Sequence, residues 1–166
     1  MPATYDKIET RTLGSASNSV TFTSIPATYT DIVAIVAIPA SGPVTTALRV
    51  NSDTGNNYST TMLVGHSGGA NSYRETNKSW GVTGGIVSGM GANSNLIVQF
   101  MNYSNSTTNK TIISRGNSAT LNDVEANVIL WRSTAAINSI SFIDYNGGAN
   151  NYPVGTTFTL YGIKAA

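Results

Sequence analysis

The chain has 166 residues, of which only 10% are charged, with a formal net charge of +1, no cysteine and one histidine. A chain this close to neutral is not expected to have the strong basic patch that nucleic-acid binding needs, and the absence of cysteine excludes disulfides, cysteine-ligated zinc and iron–sulfur clusters. Ordinary soluble domains carry about 25% charged residues, so the composition favours a protein that binds or covers something over a catalyst.

The length is typical of one domain with a sufficient core of its own. The start of the chain, Met1–Leu13, is polar and unlike a signal peptide, and the longest apolar run, Ile32–Ala40, is far shorter than the roughly 20 residues of a membrane helix. We therefore expect a single soluble domain over residues 1–166, made in the cytoplasm, without a membrane contact.

Short apolar or alternating runs separated by Gly, Asn, Ser and Thr clusters predict about ten strands and no long helix. Regular spacing with turn signals is typical of an all-β, antiparallel β-sandwich of jelly-roll type. In chain order the runs are Tyr5–Leu13, Ser19–Thr23, Asp31–Ile38, Val44–Val50, Asn57–Val64, Asn95–Tyr103, Lys110–Ser114, Val124–Trp131, Ile137–Ile143 and Thr156–Ile163.

Four of these runs are predicted to be central strands: Asp31–Ile38, Asn95–Tyr103, Val124–Trp131 and Thr156–Ile163. The first has the length of a strand buried on both faces. Periodicity alone allows a helix for Val124–Trp131, but its β-branched residues favour a strand. The residues expected in the core are Ile35, Phe100, Ile129 and Leu160.

Three segments are predicted to be loops: Ser52–Asn57, the glycine-rich Gly65–Ser79 and Tyr145–Pro153. Aromatic rings beside Asn and Gly suit carbohydrate, so the side chains in or next to the last two loops form a candidate binding surface. A position in the core is an equally good interpretation for Trp80. The candidate residues are Tyr73, Arg74, Trp80, Tyr145 and Tyr152.

The residue types that catalysis needs are scarce. A Ser-His-Asp triad would need His66, which lies in GHSGG without a G-x-S-x-G elbow and is expected to be a surface-loop residue. Asp123 and Glu125, two apart on a strand, share a face as a glycosidase pair would, but most such pairs are solvated. We therefore expect no catalytic residues and no cofactor.

The turn cluster Asn51–Asn57 (NSDTGNN) combines Asx residues and a glycine but has one carboxylate. Calcium loops use several carboxylates. An Asx turn closing a hairpin is the favoured interpretation, and binding of a metal by this loop stays open.

Six segments spread over nearly the whole chain carry a family resemblance: Thr4–Ser15, Ser19–Ile35, Leu48–Ser59, Phe100–Asn117, Leu130–Phe142 and, most specifically, the closing GTTFTLYGIKAA of Gly155–Ala166. They resemble small β-rich virion proteins and fibre-tip domains of tailed bacteriophages, notably those of marine and cyanobacterial hosts. The resemblance implies a jelly-roll-like sandwich on the virion exterior. It brings no catalytic motif and no ligand set.

Two functions follow as expectations. The first is a capsid decoration (cement) protein that docks on the major capsid protein, which suits a chain without a coiled-coil or collagen-like stalk. The alternative is a small tail appendage or fibre tip that recognises host surface glycan. In both cases we expect a homo-oligomer, a homotrimer by the resemblance, with Met1–Leu13 as either a docking arm or an edge strand.

Overall fold

A computed structural model of the chain describes residues 4–39, 44–87, 89–120, 122–146 and 150–164. These residues contain twelve strands and no helix, and hence no helix that could span a membrane. The strands are β1 (Tyr5–Thr12), β2 (Ser19–Phe22), β3 (Asp31–Ile38), β4 (Thr46–Val50), β5 (Tyr58–His66), β6 (Gly69–Lys78), β7 (Gly81–Gly84), β8 (Ser94–Phe100), β9 (Lys110–Ser118), β10 (Asp123–Trp131), β11 (Ile140–Asp144) and β12 (Thr157–Ile163).

The strands form two antiparallel sheets. One has eight strands in the order β1-β12-β3-β8-β9-β10-β5-β6, and the other has four in the order β2-β11-β4-β7. Together they make the predicted antiparallel β-sandwich of jelly-roll type. The smaller sheet has half as many strands, and β6, at one edge of the larger sheet, is exposed along most of its length.

The core lies between the two sheets. Phe142 of β11 and Phe158 of β12 meet across it with ring centroids 5.5 Å apart. Three of the predicted core residues, Phe100, Ile129 and Leu160, are fully buried, which confirms those assignments.

The prediction that Ile35 is buried is wrong, because its side chain is 38% exposed. Ala34 and Val36 point into the core, and side chains alternate along a strand, so Ile35 lies on the outer face of the sheet beside Ile97 of β8. Strand β3 is therefore buried fully on one face only.

All four strands predicted to be central lie inside the eight-stranded sheet, with ends shifted by at most three residues. Val124–Trp131 is a strand, and it pairs with β5 on one side and β9 on the other. The predicted hairpin of β8 and β9 is also present.

The prediction of a long loop over Gly65–Ser79 is wrong. Strand β5 runs to His66, a turn at Ser67 and Gly68 follows, and β6 returns antiparallel to β5. Because most of β6 is exposed on both faces, its sequence has no apolar alternation by which a strand is recognised. The short strand β7 was missed as well.

The N-terminal segment is an edge strand over the part that the structure describes. Strand β1 pairs with β12 along its length, with an irregularity between Lys7 and Glu9, and Asp6 forms an ion pair with Lys164. Docking through this segment stays a prediction, and Met1–Ala3 lie outside the described residues.

The burial difference between two strand residues predicts their contributions to stability. Leu160→Ala should lower the free energy of unfolding by about 2–5 kcal/mol, because it empties a fully buried site. Ile35→Ala, the matched control on the outer face, should cost less than half as much. Urea denaturation followed by tryptophan fluorescence measures both, and equal losses would contradict the assigned orientation of β3.

Candidate functional site

Over its first six residues, strand β10 has polar residues on its buried face and apolar residues on its outer face, the reverse of the usual pattern. Asp123, Glu125 and Asn127 face inward and are buried, whereas Val124 and Val128 face outward and are 61% and 49% exposed. A strand of an antiparallel sheet that faces water normally places polar residues outside and apolar residues inside. The reversal creates an apolar surface outside the sheet and a polar region inside it.

The outward apolar residues of β10 continue onto the neighbouring strands. Val128 lies opposite Ile113 of β9, and Ala126 lies opposite Leu63 of β5. We name the five exposed large side chains the outer apolar patch: Leu63, Ile113, Val124, Val128 and Leu130. Among the outward positions of β5, β9 and β10 the only charged residue is Arg115, so the patch is nearly free of charge.

The inward carboxylates of β10 are not solvated, and the expectation that they lie on a wet surface is wrong. The predicted shared face is correct, but it is the inner one. Glu125 accepts hydrogen bonds at Oε1 from the backbone N–H groups of Gly85 (3.0 Å) and Ile86 (3.1 Å). Burial, with a smaller contribution from the charge of Asp123, raises the pKa of Glu125 above its usual range, while its hydrogen bonds oppose the shift.

A second cluster of side chains forms where β6 ends and β7 begins. Trp80 packs edge-on against Tyr145, with centroids 5.6 Å apart and an interplanar angle of 84°. The Tyr145 hydroxyl donates to Glu75 Oε1 at 2.6 Å, and Lys78 Nζ lies 3.6 Å from the same oxygen and 5.7 Å from the Trp80 ring centre. We name these four residues the aromatic cluster.

The structure therefore brings together two of the five predicted surface residues, Trp80 and Tyr145. Tyr73 and Arg74 are exposed on β6, but as sequence neighbours in a strand they point to opposite faces. Sequence reasoning missed Glu75 and Lys78 because it treated β6 as a loop, and this exposed strand has no apolar alternation that could have indicated them.

The assignment of Tyr152 to a binding surface is wrong. Its ring is fully buried and packs edge-on against Phe158, with centroids 5.0 Å apart. Its hydroxyl donates to the Ile143 carbonyl at 3.1 Å, and its backbone bridges to Ser17. Tyr152 fixes the 145–153 segment to the core, and residues 147–149 of that segment lie outside the described part of the chain.

His66 ends β5 and does not lie in a free loop. Its Nδ1 accepts from the Gly68 N–H at 3.1 Å, and its Nε2 is 2.6 Å from the Asn71 amide nitrogen. Both ring nitrogens are thus engaged by the hairpin that joins β5 to β6.

The Asn51–Asn57 loop contains the predicted Asx turn, in which Asp53 Oδ1 accepts from the Gly55 N–H at 2.8 Å. The turn joins the small sheet to the large one and closes no hairpin. Asp53 Oδ2 accepts from the Trp131 indole at 2.6 Å and the Asn57 amide at 2.9 Å. Burial raises the pKa of Asp53, but these hydrogen bonds outweigh it and the pKa is lowered overall.

No protein-family model and no curated protein matches the chain. The galectin LEC-6 from Caenorhabditis elegans is similar with a TM-score of 0.42 and 9% identity, covering 94% of this chain and 96% of the galectin. A toad ovary galectin in complex with thio-digalactose is similar with a TM-score of 0.38 and 15% identity, covering 87% and 99%. A double mutant of the alginate lyase Aly36B with alginate tetrasaccharide gives 0.32 and 9%, covering 95% and 80%. Likeness at this level identifies no family and carries no argument about function.

The contact between Glu75 and Tyr145 predicts an altered tyrosine titration. The pKa of Tyr145 is raised to about 12, first by its hydrogen bond to Glu75, then by burial and by the negative charge of Glu75. Glu75→Gln removes the negative charge, so the pKa of Tyr145 should fall toward the usual value of about 10. The pKa of Tyr58, also raised to about 12 but mainly by burial, should not change. A ¹³Cζ-tyrosine NMR titration measures both, and an unchanged Tyr145 would contradict the described contact.

Proposed function

We propose that this chain is a non-enzymatic structural protein of a bacteriophage virion, a decoration (cement) protein on the outside of the capsid. The outer apolar patch is the observation that carries the proposal. Soluble monomers rarely expose a contiguous set of large apolar side chains, and such patches mark interfaces with other proteins. The six sequence segments that resemble phage virion proteins support the same interpretation.

The occupant that we propose for the outer apolar patch is another copy of this chain on the particle surface. Interface centres are depleted of charged residues, and the outward face of β5, β9 and β10 has Arg115 as its single charge. The whole chain carries a net charge of only +1, so crowded copies repel one another weakly. Weak contacts between copies in a closed oligomer, such as the expected trimer, combine into strong attachment.

His66 and Glu125, which were weighed for catalysis, and Asp53 of the candidate metal loop have structural roles that fit this proposal. His66 holds a hairpin turn, Asp53 binds the Trp131 indole, and Glu125 binds two backbone N–H groups. Each of these groups stabilises a connection between strands.

The proposal predicts that charge placed in the outer apolar patch weakens self-association. Val128→Lys and Leu63→Lys should each weaken it at least tenfold, which corresponds to about 1.4 kcal/mol, because a lysine would be desolvated in the contact. Ser106→Lys, in the exposed turn between β8 and β9, is the matched control and should associate as the wild type does. Sedimentation velocity over a concentration series measures the four association constants, those of the wild type and the three variants.

A wild-type chain that stays monomeric at every concentration, or variants that associate as strongly as the control, would contradict self-association through this patch. The number of copies per purified virion then separates a decoration protein from a tail protein. A number comparable with that of the major capsid protein supports decoration, and a few copies support a tail appendage.

Recognition of host glycan by a tail appendage is the second candidate, and the aromatic cluster favours it. Aromatic rings beside a carboxylate and an ammonium group provide stacking and hydrogen-bonding partners for a sugar, and Tyr73 is exposed nearby on β6. On a glycan array, Trp80→Ala should then abolish retention while Val128→Lys leaves it unchanged. An array on which the wild type retains no glycan would contradict this candidate.

A further inference from the structure

A small cavity lies inside the sandwich between the start of β10, the end of β9 and the segment that follows β7. Its volume is about 10 Å³, close to the space of one water molecule. Gly84, Gly85, Gly89 and Gly116 form much of its wall, so no side chain from these positions fills it. Gly85 has φ of +80° and backbone atoms 2.8 Å from where a Cβ would stand, so this wall position accommodates glycine alone.

Two carboxylates line this cavity, which we name the acid cavity. Asp123 is 5% exposed and Glu125 is 9% exposed. Asp123 Oδ2 is buried and has no hydrogen-bond partner among the described residues, and Glu125 has the Asn127 amide as a side-chain partner. The ion pairs found in the described part of the chain all involve other carboxylates, so no lysine or arginine neutralises these two.

Such an arrangement is costly unless something else occupies it. A buried carboxylate without a neutralising cation is destabilising, and two close together repel each other as well. Two buried carboxylates that line a space of atomic size and have no basic partner therefore suit a small, positively charged occupant.

We propose that the acid cavity binds one hard divalent cation of the Ca²⁺ class, with Asp123 and Glu125 as its carboxylate ligands. Carboxylate oxygens are the ligands that hard cations prefer, and backbone carbonyl or amide oxygens complete such sites. The sulfur of Met90, which also lines the cavity, is in contact with the Thr46 hydroxyl at 3.8 Å. Within the described ranges no group of three or more His, Cys, Asp or Glu residues occurs, so the site has two carboxylates and depends on neutral oxygens for the rest.

The cation would connect separate parts of the fold. Glu125 already holds the segment after β7 through Gly85 and Ile86, and its second oxygen would join that segment to Asp123 through the ion. On β10, the cavity residues Asp123 and Glu125 alternate with Val124 and Ala126, which lie on the outer face. Binding would thus fix the strand that presents the outer apolar patch, and the inference does not depend on what covers that patch.

Thermal unfolding of the full chain in CaCl₂ and in EDTA tests the proposal. A ligand that binds only the folded state stabilises it by mass action, so saturating CaCl₂ should raise the midpoint of the wild type by roughly 5 °C over its value in EDTA. Asp123→Asn and Glu125→Gln keep the shape of the side chains and should lose this response. Glu9→Gln, which removes a charge from exposed strand β1, is the matched control and should keep it. After equilibrium dialysis, mass spectrometry should find one calcium per chain in the wild type and the control.

Equal midpoints in CaCl₂, MgCl₂, MnCl₂ and EDTA, with no metal retained after dialysis, would overturn the proposal. Without an ion, burial alone would keep the pKa of Glu125 raised, so its contribution to stability would be complete at low pH and would be lost as the pH rises through the folded-state pKa. Retention of metal by both Asp123→Asn and Glu125→Gln would overturn it equally, since the ion would lie elsewhere.

Discussion

The register of β10 between β5 and β9 is the constraint on which the other features depend. Side chains alternate strictly along a strand, so burying Ile129 and Trp131 also buries every second residue before them. Trp131 is held in place by stacking on Tyr58 and by its indole bond to Asp53, which fixes this choice of face. Asp123, Glu125 and Asn127 are then inside whatever their polarity, and Val124 and Val128 are outside. A shift of the register by one residue would turn the polar residues of the first half of β10 outward, but it would also expose Ile129 and Trp131 in the second half.

Several of the polar side chains in the interior near β10 are hydrogen-bonded. Thr46 and Thr83 share a hydrogen bond of 2.8 Å between their hydroxyls, and Ser114 donates to the Thr83 carbonyl at 2.8 Å. Asn127 is fully buried, and a side-chain hydrogen bond between its amide and Glu125 lowers the pKa of that carboxyl. The core around β7 is thus partly polar. Departures from consistent patterning in native proteins concentrate at functional sites, and here the two faces of one strand both depart from it.

Much of the fold could be predicted from the sequence because most strands alternate or are continuously apolar. Strand β3 and the β8–β9 hairpin follow their patterns closely. The failures have physical causes. Strand β6 has no buried face over most of its length and therefore no period, and Ile35 is apolar but faces outward. Tyr152 looks like a loop residue because Asn and Gly surround it, although its ring completes the core. The aromatic cluster depends on contacts between β6 and residue 145, which only the folded chain brings together.

Protection of an outward residue of β10 from chemical labelling tests most directly whether the outer apolar patch serves assembly. The chain has no cysteine, so Val128→Cys introduces a single thiol into the outer apolar patch, and Ser106→Cys places one in an exposed turn. Maleimide labelling at high protein concentration compares the two rates. If the patch is covered by another copy, Val128→Cys reacts at least tenfold more slowly than Ser106→Cys and becomes as reactive on dilution. Equal rates at high concentration would contradict the account.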